Sequence, residues 1–176
     1  MEPVEIAAGR FQLRPWNKHD LDVIGGALAD PEIAHWSLVP PGGDPSAWLA
    51  VREERWARGE GPSFAVMDAV TGEVYGHIAL EGLDPEPRVA EIGFWTLPAA
   101  RGRGVARHGV GAVSRWAFGA LDLHRLELRH AAGNEGACAV ANSSGYALEG
   151  VLPDFARTPD GAVEAGHLHA RVATDT

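Results

Sequence analysis

The sequence predicts an α+β fold, a mixed α/β sandwich on a central, mostly antiparallel sheet, and three observations predict it. The elements run strand, two helices, a series of strands, then helix–strand–helix–strand–strand, which is not the strict alternation of a doubly wound sheet. Two of the middle strands flank Thr71-Gly72, a hairpin signal. A glycine-rich stretch, Arg101-Gly102-Arg103-Gly104-Val105-Ala106, joins an apolar strand to the longest helical pattern in the chain. At 176 residues the chain is expected to form one domain, residues 1–176, large enough to bury a core.

Phe11 to Trp16 alternates apolar and polar residues and stops at Pro15, a first strand. Asn17 is placed to cap a helix over Lys18–Ala29, with Asp20 in its first turn and Leu21, Ile24 and Leu28 at helical spacing. Asp30-Pro31 opens a short turn of helix bearing Ile33 and Trp36, and Val39–Gly43 reads as a loop. Asp44-Pro45 starts the next helix, which carries Trp48, Val51, Arg52, Arg55 and Trp56 and ends at Gly59. Ser63–Ala69 and Glu73–Leu83 form the hairpin, Pro85 and Pro87 mark a loop, and Arg88–Leu97 is the fourth strand. The helix over 103–120 puts Val105, Ala106, Val110, Val113, Ala117 and Leu121 on one face. Its three internal glycines each cost about 1 kcal/mol against alanine, which close packing on a sheet would offset. Arg125–His130 is the fifth strand, Asn134 caps a helix ending at Gly145, and Tyr146–Leu152 and Val163–Ala173 are strands about a turn near Pro159-Asp160-Gly161.

The net charge of −9 opposes binding to nucleic acid or an anionic membrane, and mildly favours cationic partners such as amines. Cys138 is the only cysteine, so no intrachain disulfide is expected. His167 and His169 share a strand face, but without a third clustered ligand they read as structural or surface residues and no metal is expected. The acidic N-terminal stretch has no apolar core segment and no run approaches membrane-spanning length, so a cytoplasmic protein is expected.

A glycine-rich strand-to-helix corner brings the backbone close to a ligand and presents helix N–H groups that lack intrahelical partners, which suits a pyrophosphate. A Walker A loop needs Lys-Ser/Thr after the last glycine, whereas the only lysine is Lys18. A dinucleotide fingerprint needs a third glycine where Arg107 stands, and should follow the first strand. The remaining pattern, Arg/Gln-x-x-Gly-x-Gly/Ala, is met by Arg101, Gly104 and Ala106.

These residues, with Ala90-Glu91-Ile92-Gly93-Phe94-Trp95 before them and Asn134-Glu135-Gly136-Ala137 … Gly145-Tyr146-Ala147-Leu148-Glu149-Gly150 after, resemble the GNAT N-acetyltransferases, most of all the RimJ/RimL-like branch. The resemblance spans roughly Phe11–Ala173. It implies a sheet splayed between the fourth and fifth strands, with acetyl-CoA as acyl donor and its pantetheine arm lying in the gap. It assigns pantetheine and thioester contacts to Phe94, Trp95, Thr96 and Leu97, and the pyrophosphate to Arg101, Gly102, Arg103, Gly104, Val105 and Ala106. Asn134 either contacts pantetheine or caps its own helix. A homodimer would follow the family's habit.

Acetyl transfer to an amine needs a neutral nucleophile. An α-amine of pKa about 7.7–8.0 is deprotonated roughly a tenth of the time at neutral pH, and a lysine amine of about 10.4 hardly at all. Glu91, mid-strand beside the expected gap, is the candidate general base. A backbone N–H from Trp95, Thr96 or Leu97 would meet the oxyanion. The branch's serine position is Ala137 and the tyrosine position of other branches is Ala141, so neither can protonate the leaving thiolate. Cys138, Ser143, Ser144 and Tyr146 stand nearby in sequence. The expected reaction is therefore acetylation of a primary amine, either a protein or peptide N-terminus or a small molecule, by direct attack. The alternative is an acyl-CoA-binding sensor of the same fold. His77 could be a base or substrate contact, and Trp36, Trp48 and Trp56 could wall a substrate pocket, although core roles suit all four.

Overall fold

The computed structural model describes residues 1–37, 42–84, 86–157 and 162–175. Most of the loop expected over Val39–Gly43, Pro85 and the turn at Pro159-Asp160-Gly161 therefore lie outside the described residues. The first half comprises strands β1 (Ile6–Ala8) and β2 (Phe11–Pro15), helices α1 (Leu21–Ala29), α2 (Pro31–Ser37) and α3 (Pro45–Arg58), and strands β3 (Ser63–Asp68) and β4 (Val74–Asp84). The second half comprises β5 (Val89–Thr96), α4 (Val105–Ala120), β6 (Arg125–Ala131), α5 (Glu135–Ser143), β7 (Ala147–Arg157) and β8 (Val163–Val172). The strands form one sheet in the order β1-β2-β3-β4-β5-β6-β8-β7. Among the described residues only β5 and β6 run parallel. No described helix is long and apolar enough to cross a membrane.

Three differences from the sequence reading have physical causes. Strand β1 was not expected, because three residues cannot display a period; it exists because Gly9, at φ 68, turns the chain back onto β2. The helix expected from Lys18 begins as a 3₁₀ turn, Lys18–Asp20, on a reciprocal cap in which Asn17 accepts from the His19 N–H and Asp20 accepts from the Asn17 N–H. Strand β7 runs on to Arg157, past Leu152, through irregularities in its pairing with β8.

The sheet is covered on both faces. Val105, Val110, Val113 and Ala117 of α4 pack against Ile78, Leu80, Ile92 and Leu126. Gly109 makes that approach possible, since a Cβ there would lie 2.9 Å from Ile78. On the other face Ile24, Leu28 and Leu49 from the α1–α3 layer close over Trp16, Ala65 and Val74.

The feature that positions the site is a fork. Strands β5 and β6 pair only at Val89–Arg125, Ala90–Leu126 and Glu91–Glu127, while β5 continues to Thr96 and β6 to Ala131. The expected splay between the fourth and fifth strands is thus present, and β1 makes them the fifth and sixth.

Candidate active site

Two cavities meet at the fork. One, of about 490 Å³, runs from the β5 end past the α4 N-terminus to α5. The other, of about 330 Å³, opens on the α1–α3 side. Trp36, Phe94, Trp95, Asn134 and Ala137 line both, so the gap between the strands connects them.

The larger cavity is built from backbone donors. Gly104 takes the left-handed conformation, φ 78, and no side chain caps α4. The first-turn N–H groups of α4 therefore face the cavity lined by Gly104, Val105 and Ala106. Gly102 and Arg101 line it too, but Arg101 is already engaged, pairing with Glu32 and lying 3.8 Å from Asp30. Arg103 does not line the cavity: its guanidinium sits 4.3 Å over the Tyr75 ring and donates to the Tyr75 hydroxyl. Arg107 lines the cavity and makes no ion pair among the described residues. It is the guanidinium left to meet a phosphate.

The edge of β5 divides its polar groups by parity. The Leu97 N–H donates to the Tyr75 carbonyl at 2.9 Å, so Leu97 faces β4. Alternation along an antiparallel ladder then turns Trp95 to β4 as well, and Phe94 and Thr96 to the gap. Of the three oxyanion donors expected, Thr96 is the one whose N–H points the right way. Asn134 accepts from the Ala137 N–H at 2.9 Å and caps α5, which commits its oxygen and leaves its NH₂ at the junction of the cavities.

Glu91 sits where the fork opens. In the sheet register it is flanked by Glu81 on β4 and Glu127 on β6, three carboxylates in a row. Glu81 is held by Arg52 and Arg55, and Glu127 by Arg125 at 2.9 Å and Arg129 at 2.6 Å. Among the described residues, Glu91 pairs only with Arg129, at 3.7 Å. It is the least neutralised member of the row, and it lines the smaller cavity. Burial raises its carboxyl above the ordinary range, Arg129 partly opposes this, and the charges of Glu127 and Glu81 add to it. The sequence had no means of showing this row, because only the register brings the three residues together.

The smaller cavity has an aromatic wall. Trp48 lies in T-shaped contact with Trp16, and Trp95 stacks on His77 at 5.3 Å. Of the three tryptophans for which a pocket wall and the core were both open, Trp36 and Trp48 line the cavity and Trp56 is buried against Phe64 in the core. Phe155, not anticipated from sequence, completes the wall. His77 is buried and accepts from the Trp16 indole N–H at 3.0 Å. Burial and then Arg52 push its pKa well below the ordinary value, so it is a neutral strut of the wall. His77→Leu leaves the indole N–H unpaired and is expected to cost about 2 kcal/mol in a urea melt at pH 7. The wild type should lose stability as pH falls below about 6.5, because the unfolded chain takes a proton that buried His77 refuses; the variant should lose less.

Among the described residues, α5 presents no hydroxyl to the cavity junction. Ala137 stands at the cavity junction and Ala141 is fully buried. Tyr146 is sealed in the core with its hydroxyl 2.7 Å from Ser114, and burial pushes its pKa up to about 12. Ser143 and Ser144 do not line either cavity.

Comparison with known proteins agrees with this geometry. A family model described as an acetyltransferase (GNAT) domain matches residues 10–147. An uncharacterised N-acetyltransferase, p20, of Bacillus licheniformis is 27% identical over 149 residues, 83% of this chain and 84% of that protein. The spermidine N-acetyltransferase of Vibrio cholerae, solved with CoA and spermine, superposes with a TM-score of 0.86 at 20% identity, covering 94% of this chain and 97% of that one. RimL, a ribosomal L7/L12 α-N-protein acetyltransferase solved with coenzyme A, superposes at 0.84 with 16% identity, covering 96% and 98%. The family match, with the forked sheet and the uncapped helix beside it, places the chain in the GNAT acetyltransferase family, as an N-acetyltransferase whose acyl donor is acetyl-CoA.

Proposed function

We propose that this protein acetylates a primary amine by direct attack of the amine on the thioester, with no covalent enzyme intermediate. The observation that carries the reading is the fork beyond Glu91 and Glu127, where the two cavities share lining residues; the reading makes the larger the donor side and the smaller the acceptor side. The α4 N–H groups and Arg107 hold the pyrophosphate, the gap-facing groups of Phe94 and Thr96 take the pantetheine arm, and the Thr96 N–H meets the oxyanion. On the acceptor side an ammonium is drawn by the Glu91 carboxylate and by the faces of the tryptophans. Glu91 then takes its proton, directly or through one water, and frees the lone pair.

Among the described residues, α5 offers no hydroxyl to protonate the departing sulfur. A thiol of pKa about 8.5 leaves as thiolate at pH 7 for about 2 kcal/mol, which water or the newly formed ammonium can recover.

The spermidine enzyme and RimL act on two kinds of primary amine, a polyamine and a protein N-terminus. Both kinds belong in the test, which is release of free CoA thiol from acetyl-CoA with a panel of polyamines, amino-acid derivatives and N-terminal peptides. Turnover with one class is the expected result. A second reading, an acyl-CoA sensor, is favoured by Ala137 and the sealed Tyr146; micromolar acetyl-CoA binding with no turnover on any amine would establish it and end the first.

A further inference from the structure

We propose that His130, Cys138, His167 and His169 form a zinc site between α5 and the β6–β8 arm. The sequence reading set His167 and His169 aside for want of a third ligand, and the fold supplies two. Register places His130 on β6 directly beside His167 on β8, with His169 two residues along the same face. Cys138 comes down on them from α5. One donor atom from each of the four lies within 4.8 Å of the others. Cys138 Sγ and His169 Nε2 are already 3.7 Å apart. A tetrahedral zinc with Zn–N of about 2.0–2.1 Å and Zn–S of about 2.3 Å sets its ligand atoms roughly 3.3–3.7 Å apart. An inward movement of about 1 Å or less per side chain closes the set.

The surroundings are those of a ligand set. His130 is 5% exposed, its Nδ1 lies 2.8 Å from the Ala131 carbonyl, and its Nε2 is buried with no hydrogen-bond partner. An imidazole that donates one N–H to a carbonyl presents its other nitrogen as a lone pair, the arrangement that orients metal-bound histidine. His169 is fully buried, with Nδ1 3.4 Å from the Tyr146 carbonyl and Nε2 toward the sulfur. His167 Nδ1 is also buried without a partner. The Asn142 amide is 3.7 Å from the sulfur and supports a thiolate. Unpartnered buried imidazole nitrogens are a destabilising feature that a cation would relieve.

Three imidazoles and one thiolate favour zinc over the oxygen-preferring cations, and four protein ligands leave no open position, so the site is structural. On binding, the thiol proton passes to solvent and the sulfur pair enters the Zn–S bond. The clamp has a job in this fold. Beyond Glu127 the β6 strand has no β5 neighbour, and α5, whose cap Asn134 stands at the cavity junction, would be tied by zinc to that parted arm. The inference does not depend on the amine or on Glu91.

The test uses the full chain, stripped of metal by a chelator and kept reduced. One equivalent of zinc should bind, and a hundredfold excess over Kd should raise Tm by roughly 5–10 °C. Cobalt(II) as a probe should give tetrahedral ligand-field bands and a sulfur-to-cobalt charge-transfer band. Cys138→Ser should abolish the charge-transfer band and weaken zinc at least about 100-fold, beyond the roughly 10–100-fold cost of losing an outer-shell partner. His130→Gln, which keeps a polar side chain, should weaken it similarly. Less than a tenth of an equivalent bound at tens of micromolar zinc (roughly a thousandfold weaker than structural sites) would overturn the proposal. So would a cobalt spectrum that Cys138→Ser leaves unchanged.

Discussion

Glu91→Gln lowers kcat about 100-fold at pH 7 with a competent amine, and the loss shrinks as pH rises toward the pKa of that amine. The reason lies in the row Glu81, Glu91, Glu127. The outer two are each held by two arginines, while Glu91 has only a long contact to Arg129. A carboxylate so placed keeps a free lone pair for the incoming ammonium, and burial raises its pKa toward that of a useful base. The sign follows directly. Below its raised pKa Glu91 is protonated and cannot accept, so kcat/KM of the wild type falls on an acid limb displaced above the ordinary carboxylate range. Glutamine has no such limb; the variant's rate should track only the fraction of free amine. The affinity for acetyl-CoA should be unchanged, because Glu91 lines the acceptor cavity and not the donor one. Equal rates for the two proteins across pH 6–9 would remove Glu91 from the chemistry.

What the sequence made legible was what depends on neighbours along the chain. The cap at Asn17, the proline at the start of α3 and the glycine corner before α4 are local devices, and each stands where the pattern placed it. The splay was legible only through family likeness, because nothing in Ile92–Thr96 says which neighbour the strand has lost. Where a long polar side chain turns was not legible, although the apolar faces were. Arg101 and Arg103 both fit a phosphate-binding pattern, yet one reaches back to Glu32 and the other leaves the cavity for the Tyr75 face. Arg107, only close in sequence, lines the cavity and makes no ion pair among the described residues. The histidine–cysteine cluster was hidden for the same reason. Cys138 and His169 are far apart in the chain, and they meet because β6 pairs with β8 while α5 lies across both.

Gly76→Val destabilises the protein by about 3 kcal/mol and raises KM for acetyl-CoA at least about tenfold. A Cβ at Gly76 would lie 2.6 Å from the Trp95 carbonyl oxygen and 3.3 Å from the Thr96 Cα, both backbone, and 3.5 Å from Val105. Backbone atoms of a central strand cannot swing aside as a flexible side chain can, so β4 and β5 must part. They would part beside Thr96 and Val105, the residues to which the proposed function gives the thioester and the start of the pyrophosphate-binding helix. The damage therefore falls on donor binding as well as on stability, and KM for the amine should change less. Gly150 is the control: it is in a strand, has open space where a Cβ would go, and its alanine variant should change the unfolding free energy in a urea melt by less than about 0.5 kcal/mol. Alanine at 76 should give a graded loss between wild type and valine. If the valine variant instead melts with the wild type and binds acetyl-CoA as tightly, the close approach of β4 to β5 is not what shapes the donor side of the fork.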